Sequence, residues 1–187
     1  MKLKTSNKDK IKEYLSFLPS LEIVEGSDDK EVLGTVDEVI LHKSKNNPGY
    51  VVEDTILIVN GVPKVDIKFN INEVRQGDNL EWVTSIAYND GDTIKVARGT
   101  IEGTADLTRG TEGFGFDFYF VPKKKPYVKL EKLLQTDITG LTLAELDKLK
   151  LKDVFSARGL ALNNFIFQHY VLDVTVDSIE EWKGKYQ

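Results

Sequence analysis

The chain has 187 residues with 25 Lys or Arg against 30 Asp or Glu, a formal net charge of −5, which argues against a partner that is polymeric nucleic acid. The sequence contains no cysteine, which excludes disulfide-held and cysteine–zinc proteins, and its two histidines leave oxygen ligands, such as those of magnesium, for any metal. No apolar run is long enough to span a membrane, so we expect a cytoplasmic protein with no membrane partner. The length and the pattern of elements predict one α/β domain over residues 1–187.

The first half of the chain alternates strand and helix patterns. Ser6 or Asn7 is a plausible N-cap for the first helix, and Pro19 ends its apolar spacing. The predicted elements are a strand in residues 2–5, a helix that follows this cap and has apolar spacing from Ile11 to Leu18, a strand over Leu21–Val24, and a helix from Val36 to about Asn46.

Residues 50–59 predict a strand buried on both faces in the middle of a sheet, because the run is almost continuously apolar. Glu53 and Asp54 interrupt it, and buried unpaired charge is costly, so these carboxylates need partners or a ligand. Side chains alternate along a strand, so only one of the two can face any given site.

The middle of the chain predicts strands and the last third predicts helices. The sequence Asn89-Asp90-Gly91-Asp92 is typical of a hairpin turn, and the pattern after Asp173 is ambiguous. The predicted elements are strands over Leu80–Ala87, Thr93–Ile101 and Phe116–Val121, and helices over Leu141–Leu151 and from Val154 to about Tyr170.

Two segments carry residue types suited to phosphate and metal binding. Residues 5–10 lie between a strand and a helix start, where free N–H groups and Lys8 or Lys10 favour a phosphate. Because the motif lacks the glycines of a phosphate-binding loop, its residues alone favour a plain N-cap with surface lysines. Glu31 and the Glu53-Asp54 pair could meet at a strand end and hold a hard divalent cation; the alternative is ordinary salt bridges.

Two later segments carry residue types suited to a planar or anionic ligand. Phe114 or Phe116, flanked by glycines, could stack on a ring while Asp117 accepts its N–H groups; the alternative is a turn with core phenylalanines. Lys152 and Arg158 stand near a helix N-terminus, where positive charge opposes the helix dipole, and this indicates an anionic or carbonyl-rich ligand.

In order, these segments resemble the inosine triphosphate pyrophosphatase family (XTP/dITP diphosphatases), which cleaves aberrant purine nucleoside triphosphates to the monophosphate and pyrophosphate. The resemblance covers most of the chain, and several motifs in order are far more specific than one. The motifs are Thr5-x-Asn7-x-x-Lys10-x-x-Glu13; Glu31, Glu38 and Lys43; Val52-Glu53-Asp54-Thr55-x-Leu57; Arg109-Gly110 with Phe114-Gly115-Phe116-Asp117; and Lys152 with Ser156-x-Arg158.

The resemblance implies a mixed, elongated β-sheet with flanking helices, in two lobes around a central nucleotide cleft, and a homodimer. It implies that Glu31 and Asp54 bind Mg²⁺ and that Asp54 is the catalytic base. The residues implied to lie at the triphosphate are Thr5, Ser6, Asn7, Lys10, Lys43, Thr55 and Lys68. The residues implied to lie at the base are Phe114, Gly115, Phe116, Asp117, Lys152, Ser156, Ala157 and Arg158.

The sequence departs from the family pattern at four positions. Ser6 stands where the family usually has glycine, Phe118 where it has proline, and Ile56 where it has a small residue. The main departure is Ala157, in place of a histidine that would help to read the purine carbonyl. We therefore expect triphosphate cleavage with an altered base preference, towards a modified or pyrimidine nucleotide. The alternatives are a nucleotide-binding protein without catalysis and an unrelated structural α/β domain.

Overall fold

The computed structural model describes residues 1–26, 32–64, 73–123 and 137–186. Its strands are β1 Lys2–Lys4, β2 Glu22–Val24, β3 Val51–Val59, β4 Val62–Lys64, β5 Asn79–Asn89, β6 Thr93–Ala105, β7 Phe120–Pro122 and β8 Leu172–Thr175. Its α-helices are α1 Lys8–Phe17, α2 Val36–Lys45, α3 Leu143–Lys148 and α4 Ala157–Ile166, and its 3-10 helices include Gly115–Phe118, Lys152–Phe155 and Val176–Ser178.

The strands of the described residues form one open mixed sheet in the order β2-β1-β3-β5-β6-β7, with β4 paired to β3 and β8 paired to β6. Strand β1 is parallel to both β2 and β3, while β4, β7 and β8 pair antiparallel with their neighbours. Helices flank this sheet, so the predicted mixed α/β fold is confirmed.

The chain divides into two compact units. Unit 1 consists of Met1–Thr55, Thr84–Gly99 and Arg158–Gln187, and unit 2 consists of Ile56–Val83 and Thr100–Ala157. The single domain over residues 1–187 stays a prediction.

In unit 1, α1 begins where the sequence predicts it. The Asn7 side chain accepts hydrogen bonds from the N–H groups of Asp9 and Lys10, so Asn7 is the N-cap. Tyr14 on this helix packs with Leu3 of β1 and with other buried apolar side chains. This packing fixes α1 against the sheet and sets the direction in which its polar residues point.

In unit 2, Trp82, Phe116 and Phe120 belong to a buried apolar cluster. The predicted strand over Phe116–Val121 is wrong in its first half, where a 3-10 helix runs from Gly115 to Phe118. The Asp117 carboxylate accepts the Phe114 N–H and closes this turn. A local polar contact therefore overrides the apolar pattern that favoured a strand.

The last predicted helix begins later and ends earlier than expected. Ser156 has an extended backbone, so α4 starts at Ala157 rather than Val154, and a separate 3-10 helix precedes it. Gln168 adopts a positive φ of 58°, which a right-handed helix cannot contain, and α4 ends at Ile166. The ambiguous segment near Asp173 forms β8.

Candidate functional site

A buried ionic cluster in unit 1 contains Glu53 of β3. The Lys10 ammonium lies 3.3 Å from Oε1 of Glu53, and Nε of Arg158 lies 3.6 Å from Oε2. The Thr55 hydroxyl, two residues along β3, donates a hydrogen bond to Oε1. Lys10 and Arg158 therefore neutralise the Glu53 carboxylate. This pairing explains why the apolar strand β3 can bury a charge.

Arg158 is held by a second carboxylate from α1. Its Nη1 donates to Oε2 of Glu13, and its Nη2 donates to the Thr55 hydroxyl at 3.2 Å. The Thr55 hydroxyl is also 2.9 Å from the Thr84 hydroxyl. Helices α1 and α4 and strands β3 and β5 thus all contribute to one network, which fixes the guanidinium in a single orientation.

The charges in this cluster determine the protonation state of Glu53. Burial would raise the pKa of its carboxyl, but the charges of Lys10 and Arg158, the Thr55 hydrogen bond and the charge of Lys43 lower the pKa to about 2. Burial would lower the pKa of Arg158, but Glu53 and Glu13 raise it above its usual value. Both groups are charged at neutral pH.

The unit 1 cluster brings together several residues that were predicted to contact a triphosphate. Lys10 comes from α1, Lys43 from α2 and Thr55 from β3, and each interacts with Glu53. Arg158, predicted to lie at the base, belongs to this cluster, and Glu13 and Glu53 compensate its positive charge. A ligand is therefore not needed to explain a cation near the start of α4.

Asp54 follows Glu53 on β3 and is partly exposed. Side chains alternate along the strand, so the Asp54 carboxylate lies on the face opposite Glu53. Carboxylate oxygens are hard donors of the kind that a divalent cation prefers, so a metal role for Asp54 stays a prediction. Glu31, the second predicted ligand, and Lys68 lie outside the described residues, and within those residues no group of three metal-ligating side chains is found.

The loop before α1 contains Thr5, Ser6 and Asn7. Asn7 N–H donates to the Thr5 hydroxyl at 3.3 Å, and Asn7 Oδ1 accepts from Lys10 N–H at 3.1 Å. The side chain of Ser6 is exposed. The N–H groups that a phosphate would require are therefore partly satisfied by the cap, as the N-cap alternative predicts.

A second ionic pair lies in unit 2. The Lys152 ammonium donates a hydrogen bond to Oδ2 of Asp117 at 2.6 Å, and both side chains are buried. The same ammonium lies 4.6 Å from the centre of the Phe114 ring, and the Phe114 N–H donates to the same carboxylate oxygen at 2.8 Å. Lys152, Asp117 and Phe114 are thus fixed to one another, and their role at a base stays a prediction.

The two phenylalanines predicted to stack on a ring differ in their surroundings. Phe116 is buried and packs edge-on against Trp82, with ring centroids 5.4 Å apart. Phe116 is thus a core phenylalanine, as the alternative to ring stacking predicts. Phe114 is partly exposed. Gly113 has a φ of +99°, and a Cβ there would lie 2.6 Å from the Asp117 carboxylate, so the turn requires glycine. Of the two rings, Phe114 is the more exposed.

Ser156 and Ala157, both predicted at the base, are buried, and Ala157 belongs to the apolar cluster of unit 2. Gly115, also predicted there, is exposed. Neither Ala157 nor Gly115 has a polar side chain. Any recognition by these two positions is therefore limited to shape and backbone groups.

Sequence reasoning missed the role of two residues. Glu13 is buried on α1 and binds Arg158, and the apolar spacing of Ile11, Tyr14, Leu15 and Leu18 gives no signal of that burial. Arg109 joins the loop after β6 to α3, because it donates to Asp106 at 2.5 Å, to Glu145 at 3.2 Å and to the Gly140 carbonyl at 2.5 Å.

The open sheet, its flanking helices and the two ionic clusters define a mixed α/β protein with buried charged sites. The chain belongs to the Ham1 family, whose model matches residues 1–168 and which is the inosine triphosphate pyrophosphatase family that the sequence resembles. This family comprises nucleoside triphosphate pyrophosphatases, which are hydrolases acting on non-canonical nucleotides.

No individual curated protein matches the chain significantly. Among the described residues, no helix has the length and apolar character needed to cross a membrane.

Proposed function

We propose that this protein hydrolyses aberrant nucleoside triphosphates of the ITP, dITP or XTP type to the monophosphate and pyrophosphate in the presence of Mg²⁺. The observation that carries the proposal is the unit 1 cluster. Lys10 and Thr55 contact Glu53, and the charge of Lys43 acts on the same carboxylate. Asp54 directly follows Glu53 on β3. Membership of the Ham1 family supplies the reaction class.

The unit 1 residues suit the chemistry of triphosphate cleavage. Water must attack the α-phosphorus while pyrophosphate leaves, so the protein mainly positions groups and neutralises charge. The ammonium groups of Lys10 and Lys43 would provide part of this neutralisation. Arg158 holds Glu53, and Glu53 holds Lys10, so Arg158 acts as a positioning residue in this proposal.

Asp54 is the proposed general base. A carboxylate beside the attacking water can accept its proton, and Asp54 is on the partly exposed face of β3. Asp54 and Glu31 would hold the magnesium ion, which supplies neutralisation of phosphate oxygens when bound.

The unit 2 residues suit recognition of a base. Phe114 would stack on the ring, and the linked Lys152 and Asp117 would meet its polar edge. Ala157 offers no side-chain hydrogen bond to a purine carbonyl, so we propose that base preference is altered towards a modified or pyrimidine nucleotide. The homodimer and the cytoplasmic location stay predictions.

The proposal is tested with ITP, dITP, XTP and dUTP, each incubated with the protein and Mg²⁺. We expect equal amounts of monophosphate and pyrophosphate, and release of orthophosphate alone would contradict the proposal. Asp54→Asn should abolish turnover while the protein stays folded, as judged by its far-UV circular dichroism. Asp173→Asn, at an exposed aspartate on strand β8, is the matched control and should retain full activity.

The same experiment decides the second candidate, a nucleotide-binding protein without catalysis. Ala157 in place of the family's histidine favours this candidate, because loss of base reading can accompany loss of turnover. Binding of a nucleotide by calorimetry, without turnover of any member of the panel, would establish it.

A further inference from the structure

The C-terminal segment 172–186, here called the strap, lies beyond the part of the chain that matches the family model. It starts as β8, which pairs with Thr93–Val96 of β6, and continues through a 3-10 helix over Val176–Ser178. Leu172, Val174, Val176 and Ile179 pack against the buried cluster that contains Ile40 of α2. The strap is therefore an ordered part of unit 1, and its neighbour is α2.

Two side-chain contacts join the strap to the last turns of α2. The Lys45 ammonium donates to the Ile179 carbonyl at 2.5 Å. The Trp182 ring packs edge-to-face on His42, with centroids 5.4 Å apart and an interplanar angle of 66°. Each contact connects a residue within three positions of Lys43 to the strap.

The strap also holds the chain immediately before α2. The Leu33 N–H donates to the Lys185 carbonyl at 2.9 Å, and Val32 forms a β-bridge with Tyr186. The Trp182 indole N–H donates to the same Lys185 carbonyl at 2.8 Å. A Cβ on Gly34 would lie 3.0 Å from the Trp182 ring, so the indole is close against this segment.

The packing between α2 and the strap is incomplete. A cavity of about 560 Å³ lies there, lined by residues that include Leu41 and His42 on the helix and Val174, Ile179 and Trp182 on the strap. The contacts of Lys45 and Trp182 therefore hold α2 together with the apolar contacts beside this cavity.

The contacts of the strap lie close in sequence to two residues of the proposed triphosphate and magnesium site. Lys43, a proposed ligand of the triphosphate, lies on α2 between His42 and Lys45, the two residues that contact the strap. Glu31, the proposed metal ligand, directly precedes the Val32 bridge in the sequence. The strap thus holds the helix that carries one proposed phosphate ligand and the segment that follows one proposed metal ligand.

We infer that the strap is a positioning element that fixes α2 and residues 32–34 for binding of the triphosphate. The inference rests on the proposed function, because the ligand it names is the triphosphate of that site. It assigns Trp182 and Lys45 as positioning residues that act through Lys43 and do not themselves contact the substrate.

The test uses the full chain with two pairs of variants. Trp182→Ala removes the ring, and Trp182→Phe keeps the contact with His42. Lys45→Met removes the bond to Ile179, and Lys45→Arg keeps a donor there. Lys185→Ala is the matched control, because Lys185 contributes its backbone carbonyl and its side chain is exposed.

Three quantities are measured for each variant: hydrogen exchange of residues 32–45, the affinity for inorganic tripolyphosphate by calorimetry, and KM with kcat for the best nucleotide. For Trp182→Ala and Lys45→Met we expect faster exchange, with tripolyphosphate Kd and nucleotide KM raised about tenfold and kcat changed less than about threefold. Trp182→Phe and Lys45→Arg should restore most of the affinity, and Lys185→Ala should match the unaltered protein.

Faster exchange with unchanged tripolyphosphate Kd would reduce the strap to a purely structural element and overturn the inference. Unchanged exchange in both Trp182→Ala and Lys45→Met would also overturn it. If the unaltered protein bound tripolyphosphate but turned over no nucleotide, only the proposed hydrolysis would be refuted. The tripolyphosphate Kd values of the variants would still decide the role of the strap. Absence of both binding and turnover would refute both proposals.

Discussion

Nε of Arg158 lies 3.6 Å from Oε2 of Glu53, and each of these two side chains is only 2% exposed. Burying two charges costs several kcal/mol per ion before their attraction is counted, so such a pair persists only with further partners. Lys10 and Thr55 provide them for Glu53, and Glu13 provides one for Arg158. Removing one member leaves an uncompensated charge in the interior of unit 1.

Glu53→Gln should therefore lower the free energy of unfolding by about 3 kcal/mol, although it keeps the shape of the side chain. Urea denaturation followed by tryptophan fluorescence measures this loss. The control is Asp37→Asn, which breaks the partly exposed Arg98–Asp37 pair of 2.6 Å. A pair of that kind contributes less than about 1 kcal/mol. Similar losses of unfolding free energy in the two variants would show that the buried cluster stabilises the protein no more than an exposed ion pair does.

The stability contributed by Glu53 should depend on pH with a definite sign. Burial would raise its pKa, but Lys10, Arg158, Thr55 and Lys43 lower it from 4.5 to about 2. A lowered pKa in the folded state adds stability above the unfolded value, and that stability is lost as the pH falls from about 4.5 towards 2. The difference in unfolding free energy between the unaltered protein and Glu53→Gln, measured at pH 7, 4 and 3, should shrink over that range. A constant difference would contradict the assignment.

Local features of this fold could be predicted from the sequence. Asn7 caps α1 through its own side chain, and Asp90 closes the turn after β5 by accepting the N–H groups of Asp92 and Thr93. Such contacts join residues two or three positions apart, so the sequence itself displays them. Strand β3 was predictable for a similar reason, because a continuous apolar run has few alternatives.

The partners of Arg158 could not be predicted in this way. Glu13 and Arg158 are 145 positions apart, and no local pattern joins them. Residue types indicated a ligand for the cations at Lys152 and Arg158, but Asp117 neutralises the first and Glu13 with Glu53 neutralises the second. Charge near a predicted helix start does not reveal whether its counter-charge comes from the protein or from a ligand.

Phe114→Ala should weaken binding of nucleotides without affecting binding of phosphate. Stacking of a base on an aromatic ring is worth about 1–3 kcal/mol, so we expect KM for the best nucleotide to rise about tenfold. The calorimetric Kd for tripolyphosphate should not change, because it has no base. Phe167→Ala, at a ring that is 64% exposed, is the control and should alter neither quantity. A parallel rise in both constants would indicate that Phe114 acts on the fold of unit 2.

Ala157→His tests whether this position belongs to the core or to the base site. Ala157 is fully buried in the apolar cluster of unit 2, so a larger polar side chain should cost about 1–3 kcal/mol of stability and lower the midpoint of thermal unfolding. Asn163→His, at an exposed position of the same helix, should leave that midpoint unchanged. If Ala157→His were instead as stable as the unaltered protein and raised kcat/KM for ITP relative to dUTP, the added imidazole would be reading the purine carbonyl. Ala157 would then be the residue that sets base preference, and its assignment to the core would be wrong.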